Sequence, residues 1–300
     1  MLLKQLTYNN KLIGTNLSKE DIEKYTQEFT LCAHAELSSL VNATNYKSHH
    51  VHSPPKLDRD TVLFESIDVI RYMYAILNTW QITASEVESA YKSKDNYLVM
   101  QEKFKNKAWQ GEPVAIIDID DVLAEFRTTF ASWLEYHHGI EVDVESDEYY
   151  FISALSNLDE NPEIIFENFI KADGFKDLSI VDGAKKFLKG LKRKGYYVHL
   201  LTARPKEELR CLYNTYTWIE NNNIYCDAID FSSEKFRWCA KSKYYDSDKI
   251  SFAIDDSPKH AEEYAKHGIK CYVPTKSYNK HLDNENISFY NSFDDLIKFL

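Results

Sequence analysis

The feature that most constrains this chain is an apolar run that ends abruptly in acidic residues. Residues 114–117, Val-Ala-Ile-Ile, are followed by Asp118, Ile119, Asp120 and Asp121 and then by a helix-like pattern. The run predicts a strand buried on both faces, and its carboxylates follow the carboxyl end, where open α/β sheets hold ligands. The side-chain period of two places Asp118 and Asp120 on one side, where they repel unless a cation or shared proton intervenes. The alternative is a strand that stops in a polar turn with an N-capping aspartate.

The composition allows two ordinary domains and argues against several classes of function. The chain has 300 residues, of which 44% are hydrophobic, and its formal net charge of −11 disfavours an electrostatic grip on duplex nucleic acid. Its five cysteines include no Cys-x-x-Cys pair, so we expect neither a disulfide framework nor a zinc knuckle, and a reducing cytoplasm fits best. No leader pattern and no apolar stretch of roughly 20 residues is present, so we expect no membrane association.

Strand and helix patterns alternate over the C-terminal half of the chain. Two further apolar strands end in polar residues, one in Thr202 and the other in Asp255 and Asp256. This alternation predicts a parallel, doubly wound sheet in which neighbouring strand ends converge on one crevice. So many carboxylates require a cation, and oxygen ligands beside phosphate favour Mg²⁺. Lys235 precedes the last of these strands by one helix, from where it could neutralise phosphate charge.

The N-terminal third reads as helical throughout. Apolar residues recur at helical spacing, and N-cap or first-turn patterns at Ser18, Asp60 and Thr83 predict the starts of three helices. Residues 101–113 then read as a polar connection, which places a domain boundary near Gly111. The predicted organisation is an all-α helical bundle in residues 1–110 and an α/β, Rossmann-like domain in residues 111–300, with a small helical cap over about 127–178.

The ordered set of strand-end residues in 112–275 resembles the haloacid-dehalogenase-like (HAD) phosphohydrolases. Two stretches, Asp118-Ile-Asp-Asp-Val-Leu-Ala-Glu-Phe126 and Leu200-Leu-Thr-Ala-Arg-Pro205, are most similar to the 5'(3')-deoxyribonucleotidase branch. The resemblance implies that Asp118 attacks phosphorus to form an aspartyl-phosphate, while Asp120 protonates the leaving alcohol and later activates water. A HAD-like fold and a dependence on Mg²⁺ are implied with it.

The same resemblance assigns the binding residues. Those expected at the phosphoryl oxygens are Thr202, Ala203 and Lys235, with Lys241 and Lys243 as alternatives for the lysine. Those expected at Mg²⁺ are Asp118, Asp255 and the backbone carbonyl of Asp120, with Asp256 behind them, and Phe126 is expected against the base. Taken singly, a threonine of this kind is as readily a helix cap and a lysine as readily a solvated side chain, while an aromatic residue at helical spacing is more often a core residue.

Residues 20 to 100 resemble the all-α nucleoside triphosphate pyrophosphohydrolases, and within them the MazG and dimeric dUTPase branch. The similar stretches begin at Ala35, Tyr46, Glu65 and Ala90. The resemblance implies Mg²⁺ ligands at Glu36, Glu65 and Asp68, substrate contacts at Lys47, Lys94 and Asp95, and a homodimer formed through these helices. Ser39, Leu98 and Gln101 depart from the family pattern, so the domain is either active or degenerate. By spacing alone, the three acids are ordinary solvated surface.

The sequence therefore predicts a cytoplasmic, dimeric enzyme that acts on small-molecule nucleotides. The C-terminal part would dephosphorylate deoxynucleoside monophosphates, and the N-terminal part would bind nucleotide or release the monophosphate from a triphosphate such as dUTP or dTTP. The alternatives are a phosphatase for polynucleotide ends or sugar phosphates, and a non-catalytic nucleotide sensor.

Overall fold

A computed structural model of the protein describes residues 16–42, 59–149, 151–156, 158 and 160–300. The chain divides into two compact units, Met1–Lys92 and Ser93–Leu300. The division falls inside a helix. The domain boundary predicted near Gly111 stays a prediction, since a family boundary and a packing boundary need not coincide.

The three predicted N-terminal helices are confirmed, and capping boxes fix the starts of the first and the third. Ser18 and Asp21 exchange hydrogen bonds of 3.0 and 3.1 Å between the backbone N–H of each and the side chain of the other. Thr83 and Glu86 repeat this arrangement at 2.8 and 3.2 Å, which satisfies N–H groups that a helix start leaves unpaired. The helices are α1 (Lys19–Asn42), α2 (Arg59–Thr79) and α3 (Ala84–Lys105). Across the described ranges, no helix meets both the length and the hydropathy that a bilayer crossing requires.

The polar connection predicted to start at Gln101 is wrong, because α3 continues to Lys105. The last turns of α3 bury Met100 and place the Tyr97 ring edge-on against Tyr216, with centroids 4.9 Å apart. The Gln101 side-chain amide donates a hydrogen bond of 2.8 Å to the Tyr216 hydroxyl. These contacts extend the helix beyond the point where its apolar spacing fades.

The second unit is built on a six-stranded parallel sheet with the strand order β3-β2-β1-β4-β5-β6, which confirms the predicted sheet type. Since β2 lies on one side of β1 and β4 on the other, the chain reverses its direction of winding at β1, and open α/β sheets form their binding crevice there. The strands are β1 (Val114–Ile117), β2 (Tyr197–Thr202), β3 (Ala228–Phe231), β4 (Ile250–Ile254), β5 (Cys271–Pro274) and β6 (Ile287–Tyr290).

Helices cover this sheet, and every residue of β1 and β2 is buried. The helices after β1 are α4 (Phe126–His138), α5 (Ile152–Ser156), α6 (Pro162–Lys171), α7 (Ala184–Arg193), α8 (Leu209–Asn221), α9 (Lys235–Ala240), α10 (Lys243–Asp246), α11 (Pro258–Lys266) and α12 (Phe293–Phe299). Of these, α4 to α6 lie in the segment predicted as a helical cap, whose role as a cap stays a prediction. The short elements β6 and α12 were not predicted, because neither is long enough to show a clear period.

Candidate active site

The sheet itself positions Asp118. Its backbone N–H donates to the carbonyl of Ile254 on β4 at 2.9 Å, so the residue after β1 is still held by the ladder between strands. Its side chain is nearly buried, and Oδ1 accepts a hydrogen bond of 2.7 Å from the N–H of Ile119. A carboxylate held by a rigid strand and oriented by a backbone donor is well prepared to act as a nucleophile.

Lys235, the first residue of α9, lies between two of the predicted carboxylates. Its ammonium Nζ is 2.8 Å from Oδ1 of Asp118 and 2.7 Å from Oδ2 of Asp255. The lysine is only 1% exposed, so water screens these ion pairs very little. The side chain predicted to bind phosphate therefore reaches the strand ends, and the alternatives do not take its place: Lys241 is exposed and Lys243 lies over the Trp109 ring.

The site holds three buried carboxyl groups beside one lysine, which is more than a single positive charge can keep ionised. Burial raises the pKa of the Asp118 carboxyl group to about 7 despite Lys235, and the neighbouring Asp255 adds to the rise. Burial also raises the pKa of Asp256 well above its usual range. Burial would lower the pKa of Lys235, but Asp118 and Asp255 outweigh it and hold that pKa above its ordinary value. The lysine stays charged, and a further cation at the site would favour the ionised forms of the carboxyl groups whose pKa values burial raises.

The arrangement of donors in the cluster fits a hard divalent cation. Asp118, Asp255 and Asp256 each offer an oxygen within 4.8 Å of the others, and no other such group of His, Cys, Asp or Glu occurs in the described residues. Oδ2 of Asp256 accepts from the Tyr278 hydroxyl at 2.7 Å, while its Oδ1 is buried and lacks a hydrogen-bond partner in the described part of the chain. An orphan carboxylate oxygen among other carboxylates suits Mg²⁺ or a similar ion. Asp256, predicted to stand behind the metal ligands, lies within the cluster itself.

Asp120 is engaged by a different cation. Arg204 donates from Nε to Oδ2 of Asp120 at 2.9 Å and from Nη2 to Oδ1 at 2.6 Å. The two carboxylates of the Asp-x-Asp sequence thus have separate partners, Lys235 for Asp118 and Arg204 for Asp120. This separation relieves the repulsion expected between them.

The end of β2 adds Thr202 and Ala203. Thr202 is fully buried, and its Oγ1 accepts from the backbone N–H of Arg204 at 3.3 Å, which is a turn contact. Ala203 is exposed at the tip of the same loop. The predicted contacts of both residues with phosphate stay predictions.

Phe126 belongs to an aromatic cluster. Its ring stacks on Phe130 and Phe175, each with centroids 5.6 Å away, and meets the edge of Phe169 at 5.8 Å. It remains half-buried. The predicted contact between Phe126 and a base stays a prediction, and its observed role is packing.

Arg127, next to Phe126, holds a loop beside the site. Its guanidinium donates to the carbonyls of Val144, Ser146, Glu148 and Tyr149 at distances of 2.7 to 3.0 Å. The planar group of Arg127 also lies over the Tyr278 ring, 4.9 Å from its centroid, and Tyr278 is the residue that binds Asp256. One arginine therefore ties the loop to the carboxylate cluster.

The three acidic residues predicted for an N-terminal metal site, all among the described residues, do not form a close group of carboxylate oxygens like the one at Asp118, Asp255 and Asp256. Glu36, Glu65 and Asp68 are half-buried on α1 and α2, and Asp68 pairs with Arg71 at 3.6 Å. In the described ranges these acids form no group of the kind found at Asp118. The substrate residues Lys94 and Asp95 are exposed on α3, and Lys47 lies outside the described residues. The predicted roles of all six stay predictions.

His260 on α11 gives the protein a defined response to acid. Burial lowers its pKa from 6.5 to about 4, and the charge of Lys235 acts in the same direction. The folded state therefore holds His260 neutral, while the unfolded chain takes up a proton near pH 6.5, so this contribution to stability is present above pH 6.5 and is lost as the pH falls toward 4.

We expect His260→Gln to flatten the acid side of the stability profile. Below pH 6.5, the free energy of unfolding of the variant should fall less steeply than that of the wild type, by about 1.4 kcal/mol per pH unit. Urea denaturation at several pH values measures this difference. His281→Gln, at an exposed position, should follow the wild type, and parallel profiles for His260→Gln would contradict the assignment.

Three residues that contact the site were not predicted from the sequence: Arg204, Arg127 and Tyr278. Of the three, only Arg204 could have been found from the sequence: it follows the end of a buried strand, and a charged residue there needs a partner of opposite charge. Arg127 and Tyr278 carried no comparable signal, because each lies in an ordinary polar and aromatic context.

Comparisons with known proteins agree on the C-terminal part of the chain. The family model described as 5' nucleotidase, deoxy (pyrimidine), cytosolic type C protein (NT5C) matches residues 112–299. A Bacillus cereus protein whose name calls it a nucleotidase is 23% identical over 189 residues, covering 60% of this chain and 96% of that protein.

Two solved structures align with the same part of the chain. A predicted phosphatase from Clostridium acetobutylicum has 20% identity and a TM-score of 0.49, over 63% of this chain and 98% of that one. A HAD-superfamily hydrolase from Ehrlichia chaffeensis has 20% identity and a TM-score of 0.38, over 64% of this chain and 97% of that one.

Proposed function

This chain belongs to the 5' nucleotidase, deoxy (pyrimidine), cytosolic type C family and is a phosphoric monoester hydrolase of the 5'-nucleotidase type. On that premise, we propose that its substrates are deoxynucleoside monophosphates. We propose further that the reaction passes through an aspartyl-phosphate on Asp118. The observation that carries the proposal is the buried cluster of Asp118, Lys235, Asp255 and Asp256 beside β1 and β4. Such a cluster joins a fixed nucleophile to the positive charge that a phosphate ester requires.

The reaction divides into two transfers at phosphorus. A carboxylate oxygen of Asp118 forms a bond to phosphorus while the bond from phosphorus to the nucleoside oxygen breaks, and Asp120 donates a proton to that leaving oxygen. Water then attacks phosphorus, Asp120 accepts a proton from it, and the bond to Asp118 breaks to release inorganic phosphate. Lys235 holds Asp118 in place and offsets the charge of the phosphoryl group.

The residues that would hold Mg²⁺ are Asp118, Asp255 and Asp256, with the backbone carbonyl of Asp120. When bound, the ion would supply positive charge beside the phosphoryl oxygens. Support for this proposal comes from the unpartnered Oδ1 of Asp256 and from the excess of carboxylates over Lys235.

A panel of phosphate esters tests the proposed substrate. With Mg²⁺ present, the purified protein should release phosphate from pyrimidine deoxynucleoside monophosphates faster than from sugar phosphates or from oligonucleotides phosphorylated at either end. Faster release from one of those other esters would contradict the proposed nucleotide substrate, but the protein would still be a phosphohydrolase. If the protein binds nucleotides but releases phosphate from none of these esters, the result would support the alternative of a non-catalytic nucleotide sensor.

Mg²⁺ should also stabilise the folded protein. At about 100 times its dissociation constant, a ligand that binds only the native state adds about 2.7 kcal/mol to the free energy of unfolding. Urea denaturation with Mg²⁺ or with EDTA measures this gain. We expect the gain to shrink in Asp256→Asn and to persist in Asp294→Asn, whose carboxylate is exposed and pairs with Lys186. Equal stability of the wild type in Mg²⁺ and EDTA would contradict the metal site.

For the N-terminal helices, we propose nucleotide binding and pyrophosphate release from dUTP or dTTP, in a cytoplasmic homodimer. This proposal rests on the sequence resemblance alone. Measurement of pyrophosphate from both triphosphates, in the wild type and in Glu65→Gln, tests the activity, and sedimentation tests the dimer. No pyrophosphate from either triphosphate would identify the N-terminal unit as degenerate.

A further inference from the structure

Arg204 is a buried cation whose charged group is directed at one carboxylate. The residue is 4% exposed and follows the end of β2. Its Nε and Nη2 donate to the two oxygens of Asp120 at 2.9 and 2.6 Å. Among the described residues, no other hydrogen-bond donor reaches this carboxylate, so the orientation of Asp120 depends on Arg204.

The guanidinium of Arg204 is itself fixed on all sides. Nη1 donates to Oγ1 of Thr215 on α8 at 3.0 Å, and this hydroxyl donates in turn to the carbonyl of Cys211 at 2.8 Å. The planar group lies over the ring of Phe175, 4.4 Å from its centroid, and within 5.9 Å of the Trp218 ring. Because these contacts already hold the planar guanidinium group of Arg204, it loses little further conformational entropy when it binds the carboxylate.

We propose that Arg204 is a positioning residue, which holds the Asp120 side chain where its protonated form donates to the leaving oxygen of the substrate and its carboxylate then accepts a proton from water. The inference rests on the proposed function, because it presupposes the role of Asp120 in proton transfer. It adds a division of labour between two buried cations: Lys235 orients the nucleophile, and Arg204 orients the acid and base.

The leaving group distinguishes this role from a purely structural one. A nucleoside oxygen leaves phosphorus as a poor, basic alkoxide unless it receives a proton as the bond breaks. A p-nitrophenolate ion is stable without that proton. Misplacement of Asp120 should therefore slow the first transfer from a nucleotide and spare the first transfer from p-nitrophenyl phosphate, whereas a general distortion of the site should slow both.

The test compares the first transfer from these two substrates in Arg204→Met and Arg204→Lys, by rapid mixing and quenching within one turnover. We expect both variants to lose about 10²-fold or more in nucleoside release from a deoxynucleoside monophosphate. The burst of p-nitrophenolate should change by less than about 3-fold and be followed by slow turnover, since the second transfer also needs Asp120. Lysine retains the charge of arginine but lacks its bidentate fork, so Arg204→Lys should not rescue the loss.

Two further variants serve as references. Asp120→Asn should show the same dependence on the leaving group, and combining it with Arg204→Met should add little to the loss. Arg210→Met is the matched control, because Arg210 is exposed and pairs with Asp173. If Arg204→Met does not fold, Arg204→Lys decides the question.

Equal losses with both substrates in a folded variant, or no loss with either, would overturn the positioning role. Failure of the proposed function gives a separate result: the wild type itself would then show no phosphorylated Asp118 and no p-nitrophenolate burst.

Discussion

Asp118→Asn is expected to lower the release of phosphate from a deoxynucleoside monophosphate by at least about 10³-fold, because the amide cannot form the bond to phosphorus that we propose for the carboxylate. The effect should fall on kcat, since the rest of the cluster still surrounds the phosphate. Steady-state kinetics with Mg²⁺ and a phosphate assay measure it. The fold should survive, because Asn has nearly the same shape as Asp and can still accept a hydrogen bond from the N–H of Ile119.

The matched control is Asp294→Asn, which makes the same chemical change at an exposed position on α12. Its kinetics should match those of the wild type. Retained activity in Asp118→Asn would exclude Asp118 as the nucleophile and leave it as a structural acid beside Lys235.

Lys235→Met is expected to lower both stability and activity. Methionine fills most of the volume of lysine but leaves Asp118 and Asp255 without their shared cation, and the loss of one partner of a buried ion pair costs about 3–5 kcal/mol. Phosphate release should fall by about 10²- to 10³-fold, the size of effect seen when a donor to a developing charge is removed. Urea denaturation and steady-state kinetics measure the two effects.

Added Mg²⁺ should restore part of the stability of Lys235→Met and little of its activity, because the ion can neutralise the carboxylates but cannot orient Asp118 as the lysine does. Lys243→Met is the control, since Lys243 is exposed over the Trp109 ring. A Lys235→Met protein as stable and as active as the control would show that the buried ion pairs serve neither fold nor reaction.

The sequence was sufficient to predict the centre of this site. The apolar run before Asp118 and the apolar strands before Thr202 and Asp255 specify parallel strands, and the topology of a parallel sheet brings their carboxyl ends together. Lys235 could be found because it precedes β4 by one helix and a cluster of acids needs a cation.

Contacts over long separations could not be predicted in the same way. Arg204 and Asp120 are 84 positions apart, and nothing local to either residue identifies the other. Alternation along a strand would place the consecutive residues Asp255 and Asp256 on opposite sides. The chain leaves the strand at this point: the N–H of Ser257 donates to Oδ1 of Asp255 at 3.1 Å, and α11 begins at Pro258. This turn lets both aspartates offer an oxygen to one cluster.

The segments outside the sheet show the other limit of sequence reasoning. The cap was predicted from acidic and aromatic composition, but the role of Arg127 depends on four backbone carbonyls that carry no side-chain signature. The length of α3 was underestimated for a similar reason. Its last turns are stabilised by the packing of Met100 and Tyr97, and this packing leaves no helical periodicity in the sequence.

Transfer of the phosphoryl group to Asp118 can be measured directly. The wild-type protein is mixed with Mg²⁺ and a deoxynucleoside monophosphate, quenched in acid within one turnover, digested, and mapped by mass spectrometry. A phosphoryl group on the peptide that contains Asp118, present with Mg²⁺ and absent with EDTA or in Asp118→Asn, is the predicted result. Rapid release of phosphate with no phosphorylated peptide at any quench time, or with the phosphoryl group on a different residue, would contradict it.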